Sequence, residues 1–427
     1  MRIVIITAGA AGMYCGSCLK DNTLAGALIA RSHDCLLIPT YTPLTLDEPD
    51  ESTAPIYLGG VNVFLDEYRF SRWLPRFAKR WLDAPSLLRF VTRFANSGDY
   101  AKLGELTLSM LRGEAGRQAE HVIQLAEHLA NDVKPDVVVL SNVLLSGIAP
   151  ALKRRLDAPI IATLQGDDLF LDSLTSTHRS AAILQIQSNY VAVAGSIATS
   201  ASYAEHMSKY LGLARANIHL VRPGIRVENF QTAVGRPSDE LLTIGFFARI
   251  APEKGLHRLV AALLTAKLPP FRLRISGWLG ASQRRYLDKC LSDFRKQYEE
   301  RVEYIPSPTL ADKVRFLQSV DIFSVPAAFH EPKGIYLLEA MASGVPVVQP
   351  SSGAFPELVG MTQGGLLVEA NNDQALAAGL EKLAHDPQLR KELGQRGQAA
   401  VKEIFNADDM ASNTEAVLEK YLLGRIK

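Results

Sequence analysis

Two carboxylates in an E-x7-E spacing, Glu331 and Glu339, lie in the run FHEPKGIYLLEAMASGVPVVQPSSGAFPELV, and two cations, Arg249 and Lys254, lie in GFFARIAPEKG. A carboxylate accepts hydrogen bonds from hydroxyls, which sugars carry in number. A guanidinium binds phosphate oxygens through a planar fork, and an ammonium binds them as a point charge. Together the four residues suit a sugar joined to a diphosphate. As the bond between sugar and phosphate breaks, negative charge grows on the departing oxygen. Cations placed there stabilise the transition state more than the ground state.

The surrounding elements must bring these side chains to one edge. VDIFSVPA before Glu331 and VPVVQP after it read as buried strands, and Gly334 opens a short helix from about Ile335 to Ala342 that Gly344 closes. Glu331 then falls in the loop at a strand's carboxyl end, the edge where open α/β sheets bind ligands. Glu339 falls one to two turns into the helix, a position from which it would hold a ribose. The unpaired N–H groups at the helix start, around Gly334, Ile335 and Tyr336, suit a diphosphate. Arg249 comes just past the strand LLTIGFFAR, and Lys254 precedes a helix beginning near Leu256.

The same alternation runs through the whole chain. RIVIIT, CLLIPT, DVVVLSN, PIIATLQ, NYVAVAGS and IHLVRPGI mark strands in the first half. LLTIGFFAR, RLRISG, VEYIPS, DIFSVP, VPVVQP and GLLVEA mark them in the second. This predicts parallel sheets with crossover helices. The expected fold class is α/β, with two Rossmann-like domains facing each other across a deep cleft and joined near 223–230.

A length of 427 residues is ample for two or three cores, and 46 Lys+Arg against 45 Asp+Glu imply no nucleic acid or other polyanion as partner. The apolar run 137–152 is broken by Ser141, Asn142, Ser146 and Pro150, so it does not read as a membrane span. The start MRIVIITAGAAG goes straight into a strand and a glycine loop, and the expectation is a cytoplasmic protein. In that loop Gly9 and Gly12 allow close approach of backbone to a ligand. Their G-x-x-G spacing is not the dinucleotide fingerprint.

The run around Glu331 resembles the donor-site signature of retaining glycosyltransferases of family 4, the glycosyl transferases group 1, which have the GT-B fold. Glu331, Pro332, Gly334, Leu338, Glu339, Ala340, Met341, Ala342, Gly344, Pro346, Val347 and Val348 fit it. Lys333 replaces the usual Phe, and Ala354 stands where a second Gly often sits. Arg249 and Lys254 match the two basic positions of the family's GR-x-x-x-x-KG element. The resemblance implies that the turns at Ser276 and Gly277 and at Tyr304 and Ile305 line the nucleotide base and ribose. It also implies that the loop at Gly9 and Gly12 faces the donor phosphates and acceptor. Gln165 stands where relatives often carry a His beside the anomeric carbon. The domains would be 1–224, with a returning helix 407–427, and 225–406.

The implied reaction moves a hexosyl group from a nucleoside diphosphate sugar to an acceptor hydroxyl with retention, on one face, the leaving phosphate taking the acceptor's proton. Glu331 would position the sugar and offset positive charge on its ring. No cofactor is expected beyond the donor itself, with a UDP-sugar favoured over GDP- or ADP-sugars. No metal is expected, since no Asp-x-Asp pair is placed at Arg249 and the two cations can do its work. A non-catalytic sugar-nucleotide-binding or scaffold protein is the alternative, and a nucleotide-sugar epimerase on the same fold a weaker one.

Two features fall outside this scheme. Between Arg69 and Arg93 seven Lys/Arg and one acid, Asp83, are interleaved with Phe70, Trp73, Phe77, Trp81 and Phe90. This segment reads either as a helical insertion with aromatic core residues or as peripheral contact with an anionic membrane or lipid-linked acceptor. The acceptor itself (glycan, lipid-linked or small molecule) is not written in the sequence. Cys15 and Cys18 form a C-x-x-C which, with His33 and Cys35, could hold zinc or act as a redox pair. The plainer reading is small residues shaping a loop.

Overall fold

Short apolar runs form two six-stranded parallel sheets, one in each of two units. The computed structural model describes residues 1–9, 15–40, 43–52, 100–230, 241–306 and 309–424. The units are Met1–Arg222 with Met410–Lys427, and Pro223–Asp409.

The first sheet contains β1 (Arg2–Thr7), β2 (Asp34–Pro39), β3 (Val137–Leu140), β4 (Ile160–Leu164), β5 (Gly195–Ala198) and β6 (Ile218–Leu220), in the order β2-β1-β3-β4-β5-β6. β3, β4 and β5 are buried at every position. Strands covered on both faces read as unbroken apolar runs rather than as alternation. NYVAVAGS departs from the expected strand. The helix Ser176–Asn189 runs into it, a 3-10 turn occupies Tyr190–Ala192, and pairing begins only at Gly195. Asn189 holds that helix end by donating its side-chain amide to the Leu111 carbonyl at 2.8 Å.

The second sheet contains β7 (Leu242–Phe247), β8 (Phe271–Ser276), β9 (Val302–Ile305), β10 (Ile322–Phe323), β11 (Val347–Pro350) and β12 (Gly365–Val368), in the order β12-β11-β10-β7-β8-β9. In both sheets the chain winds first to one side of its opening strand and then to the other. The reversal falls between β1 and β3 in the first sheet and between β7 and β10 in the second. At such a switch point the loops leaving the two strands diverge and open a crevice at their carboxyl ends.

The last helix, Ala407–Leu423, belongs with the first sheet. Met410, Ala411 and Leu418 are buried in one core with Ile3, Ile5, Leu28 and Ile197. Glu415 pairs with Arg31 at 2.9 Å, and Tyr421 with His219 at 2.8 Å.

Candidate functional site

The loops leaving β7 and β10 flank the switch point of the second sheet, and side chains reach across it. Lys254, from the first loop, donates to Glu331 Oε2, in the second, at 2.6 Å. The Tyr336 hydroxyl donates to the same oxygen at 2.9 Å, while the backbone N–H groups of Lys333 and Gly334 reach Oε1 at 3.5 and 3.4 Å. The Lys254 ammonium also lies 4.8 Å from the centre of the Phe329 ring and 5.0 Å from that of Tyr336. Glu331 is only 4 % exposed. Burial alone would push its carboxyl up, but the Lys254 ammonium overcomes this, helped by Lys333 and the Tyr336 hydroxyl, and holds it below the usual range. Glu331 is therefore an anion held inside the protein. The Tyr336 phenol is pushed well up by burial and by that anion, so it stays a donor. Lys333, in the place of the family's Phe, is buried as well.

Sequence reasoning missed one support of Glu331. Gly353 takes φ 58°, and a Cβ added there would lie 2.5 Å from both the N and the O of Glu331. Only glycine fits against that backbone. The next N–H, of Ala354, donates to the Glu331 carbonyl at 2.8 Å. Ala354 itself has φ −77° at the start of the helix Phe355–Thr362, so no second glycine is needed there. The Ser-Ser-Gly turn was the available signal.

Arg249 and Lys254 leave the same loop but meet different carboxylates. Arg249 Nη2 lies 2.5 Å from Oε1 of Glu253, a residue that no sequence motif singles out. Glu339 sits on the helix Ile335–Ala342 as expected, yet it is nearly as buried as Glu331 and bound at 2.7 Å by Lys313, on the helix Leu310–Gln318. The Lys313 ammonium in turn lies 5.8 Å from the centre of the Phe247 ring at the end of β7. A lysine on an amphipathic helix reads as a surface residue, so nothing in the pattern flagged it.

The turns after β8 and β9 are joined. Ser276 Oγ donates to the Ile305 carbonyl at 2.6 Å, and the Tyr304 hydroxyl donates to the Gly277 carbonyl at 2.8 Å. Both side chains hold the two turns to each other.

In the first unit, Gly9 follows β1 with φ 81°, a left-handed turn that glycine takes without strain. Gly12 and the segment 69–93 lie outside the described residues. Gln165 directly follows β4 and is buried, with Nε2 2.5 Å from the Ser141 carbonyl and 3.4 Å from Asp21 Oδ2. Asp21 is paired with the buried Lys20 at 3.0 Å. The two acids after Gln165 are structural. Asp167 accepts the backbone N–H groups of Val143 and Gln165, while Asp168 accepts the Tyr203 hydroxyl at 2.6 Å and pairs with His206 at 2.9 Å.

The four-ligand zinc idea fails on geometry. His33 pairs with Glu415 at 3.2 Å, and Cys35 is buried in the sheet core, its thiol pushed up to about 12, first by burial and then by Asp34. Among the described residues no group of three or more His, Cys, Asp or Glu is arranged to hold a metal ion. Among them, too, no helix is long and apolar enough to cross a membrane.

The family model "Glycosyl transferases group 1" matches residues 228–400, and "Glycosyltransferase Family 4" matches residues 89–229. Glycogen synthase of Mycobacterium tuberculosis is 27 % identical over 297 residues, 68 % of this chain and 70 % of that protein. Among solved structures, sucrose-phosphate synthase from Thermosynechococcus elongatus superposes with a TM-score of 0.70 at 17 % identity, over 99 % of this chain and 100 % of that one. Anabaena HepE, in complex with UDP and glucose, gives 0.68 at 17 % identity, over 98 % and 100 %. Fold, family matches and relatives together make this chain a glycosyltransferase of GT-B architecture.

Proposed function

We propose that the chain transfers a hexosyl group from a nucleoside diphosphate sugar to an acceptor hydroxyl with retention of anomeric configuration, and that a UDP-sugar is the donor. The buried Lys254–Glu331 pair carries this reading. It puts a fixed carboxylate and a cation at one switch point, the carboxylate suited to sugar hydroxyls and the cation to a departing phosphate. Arg249, on the same loop, supplies the second cation once the diphosphate competes with Glu253 for it. The helix start at Gly334, Ile335 and Tyr336 adds backbone N–H groups, and Glu339, held by Lys313, faces the ribose. The turns at Ser276, Gly277, Tyr304 and Ile305 cradle the base.

The reaction needs no metal in this reading, because the two cations neutralise the leaving group. No side chain near Glu331 is offered as a covalent nucleophile. The departing phosphate accepts the acceptor's proton on the face it leaves, and Glu331 offsets charge on the ring. On the family resemblance, Gly9 and Gly12 face the donor phosphates and acceptor, and Gln165 stands beside the anomeric carbon. The acceptor is a glycan, a lipid-linked molecule or a small molecule, and the basic aromatic segment 69–93 is its candidate contact. HepE's complex with UDP and glucose supports the choice of UDP.

Thermal shift against UDP, GDP, ADP and their sugar conjugates tests the donor site. Free ligand at about a hundred times its Kd adds roughly 2.7 kcal/mol to the folded state. Stabilisation by uridine nucleotides alone is expected. No shift with any nucleotide would overturn the reading and favour a scaffold role, for which Lys333 and Gln165, both departures from the family's pattern, are the motivating residues.

A further inference from the structure

The loop after β1 carries a feature that glycosyl transfer does not use. Cys15 is the N-cap of the helix Gly16–Ala30, in extended conformation, and its carbonyl already accepts the Leu19 N–H at 3.0 Å. Cys18 is the third residue of that helix. N-cap and third position are the pair whose side chains face each other at a helix start, as in a capping box. Three residues of helix separate Cα atoms by roughly 5 Å, inside the span a disulfide bridges without moving the backbone. The two side chains are also hydrogen-bonded to each other, with no disulfide between them in this structure.

Their surroundings differ as the two sulfurs of an exchanging dithiol do. Cys15 is partly exposed, whereas Cys18 is 3 % exposed. The Cys18 thiol is pushed far up, first by its hydrogen bond to Cys15, then by burial and by the charge of Asp21. Cys18 thus holds its proton the more tightly until it is called on as the second thiol, while Cys15, at the positive end of a helix, is the more exposed of the two. The other two cysteines do not join them. Cys35 is in the sheet core, and Cys290 lies on a helix of the second unit.

We propose that Cys15 and Cys18 are a redox-active dithiol that closes to an intramolecular disulfide by exchange with a small disulfide such as oxidised glutathione. The Cys15 thiolate attacks one sulfur of the glutathione disulfide, forming a mixed disulfide and releasing one glutathione thiolate. Cys18 then loses its proton and attacks the Cys15 sulfur, releasing the second. Two protein thiols are oxidised, one glutathione disulfide is reduced to two thiols, and the two protons go to the departing thiolates. The bond would fix the first turn of the helix that carries the Lys20–Asp21 pair against Gln165, at the switch point of the first sheet. Dithiol closure is independent of the donor and acceptor assigned above.

The test equilibrates the whole chain in glutathione buffers of increasing oxidised fraction, quenches with an alkylating agent and maps the peptides by mass spectrometry. The expected result is loss of two hydrogens from the peptide holding Cys15 and Cys18, reversed by dithiothreitol. Cys35 and Cys290 should remain outside that bond. Cys18→Ser should instead accumulate glutathione on Cys15, while Cys15→Ser should leave Cys18 unmodified in the folded protein. Alkylation of both Cys15 and Cys18 at every buffer ratio would overturn the proposal. So would a glutathione adduct on Cys15 that persists in the wild-type chain, since Cys18 would then not resolve it. The wild-type measurement stands even if a variant fails to fold.

Discussion

Lys254 and Glu331 are 77 residues apart in sequence and 2.6 Å apart in space, and both side chains are largely withdrawn from solvent. Lys254 is the largest of the charges that hold the Glu331 anion, ahead of Lys333, so removing Lys254 leaves a buried carboxylate without its main partner.

Lys254→Met should therefore lower stability by about 3–5 kcal/mol, the cost typical of breaking a buried pair from one side. The double variant Lys254→Met with Glu331→Gln should recover part of that loss, because the Glu331 anion is no longer left without its main partner. Denaturant melts of the four proteins in the cycle measure the coupling. Additive losses would mean that the two groups do not depend on each other. Activity should be lost in both single variants and not regained in the double one.

The depressed carboxyl of Glu331 has a consequence for pH dependence. Its folded-state value lies below its unfolded one, so the folded protein binds the proton less readily than the unfolded chain. The stability this confers is fully present above the ordinary carboxylate value of 4.5 and drains away as pH falls through the lower folded value. Wild type should lose stability on acidification over that window, and Glu331→Gln should lose less. Parallel pH–stability curves for the two would contradict the assignment.

Gly353→Ala should test how closely Glu331 is held. The new Cβ meets the Glu331 backbone and sits at positive φ, which costs more than about 1 kcal/mol even without a clash. The expected outcome is a fall in kcat larger than the loss of folded protein, since the carboxylate is pushed from its place. Ser351→Ala, in the same loop, should behave as wild type. Equal kcat in Gly353→Ala and wild type would show that the loop does not position Glu331.

The second buried pair makes a separate prediction. Glu339→Ala should weaken nucleotide affinity, measured by calorimetry, and should also destabilise the unit by stranding Lys313. Lys313→Met should destabilise it too, with a smaller effect on affinity. Unchanged affinity in Glu339→Ala would reduce the pair to a structural one.

Much of this arrangement is legible in the amino-acid sequence. The E-x7-E run places Glu331 in a loop and Glu339 on a helix over Ile335–Ala342, and those bounds are the observed ones. The two six-stranded sheets also follow from the apolar runs, most directly at β3, β4, β5 and β11, whose burial on both faces leaves a signal that needs no partner to interpret. Partnerships are not legible. Lys313 lies 26 residues before Glu339 on an amphipathic helix, and only the packing of that helix turns its ammonium inward. Arg249 and Lys254, whose spacing reads as one phosphate clamp, meet Glu253 and Glu331 instead. Lys20 and Asp21 are a buried pair in a stretch that composition alone would leave at the surface. In each case charge type is visible in the sequence, but the distance that decides its role belongs to the fold.

Real-time proton NMR of the chain with a panel of UDP-, GDP- and ADP-sugars, in EDTA, with acceptor or water as the recipient, tests the central claim most directly. The account predicts that UDP-sugars are consumed with release of UDP, and that the first-formed sugar product keeps the donor's anomeric configuration. The Lys254→Met and Glu331→Gln variants should be silent. An inverted first product, or turnover that EDTA abolishes and added Mn²⁺ restores, would contradict it.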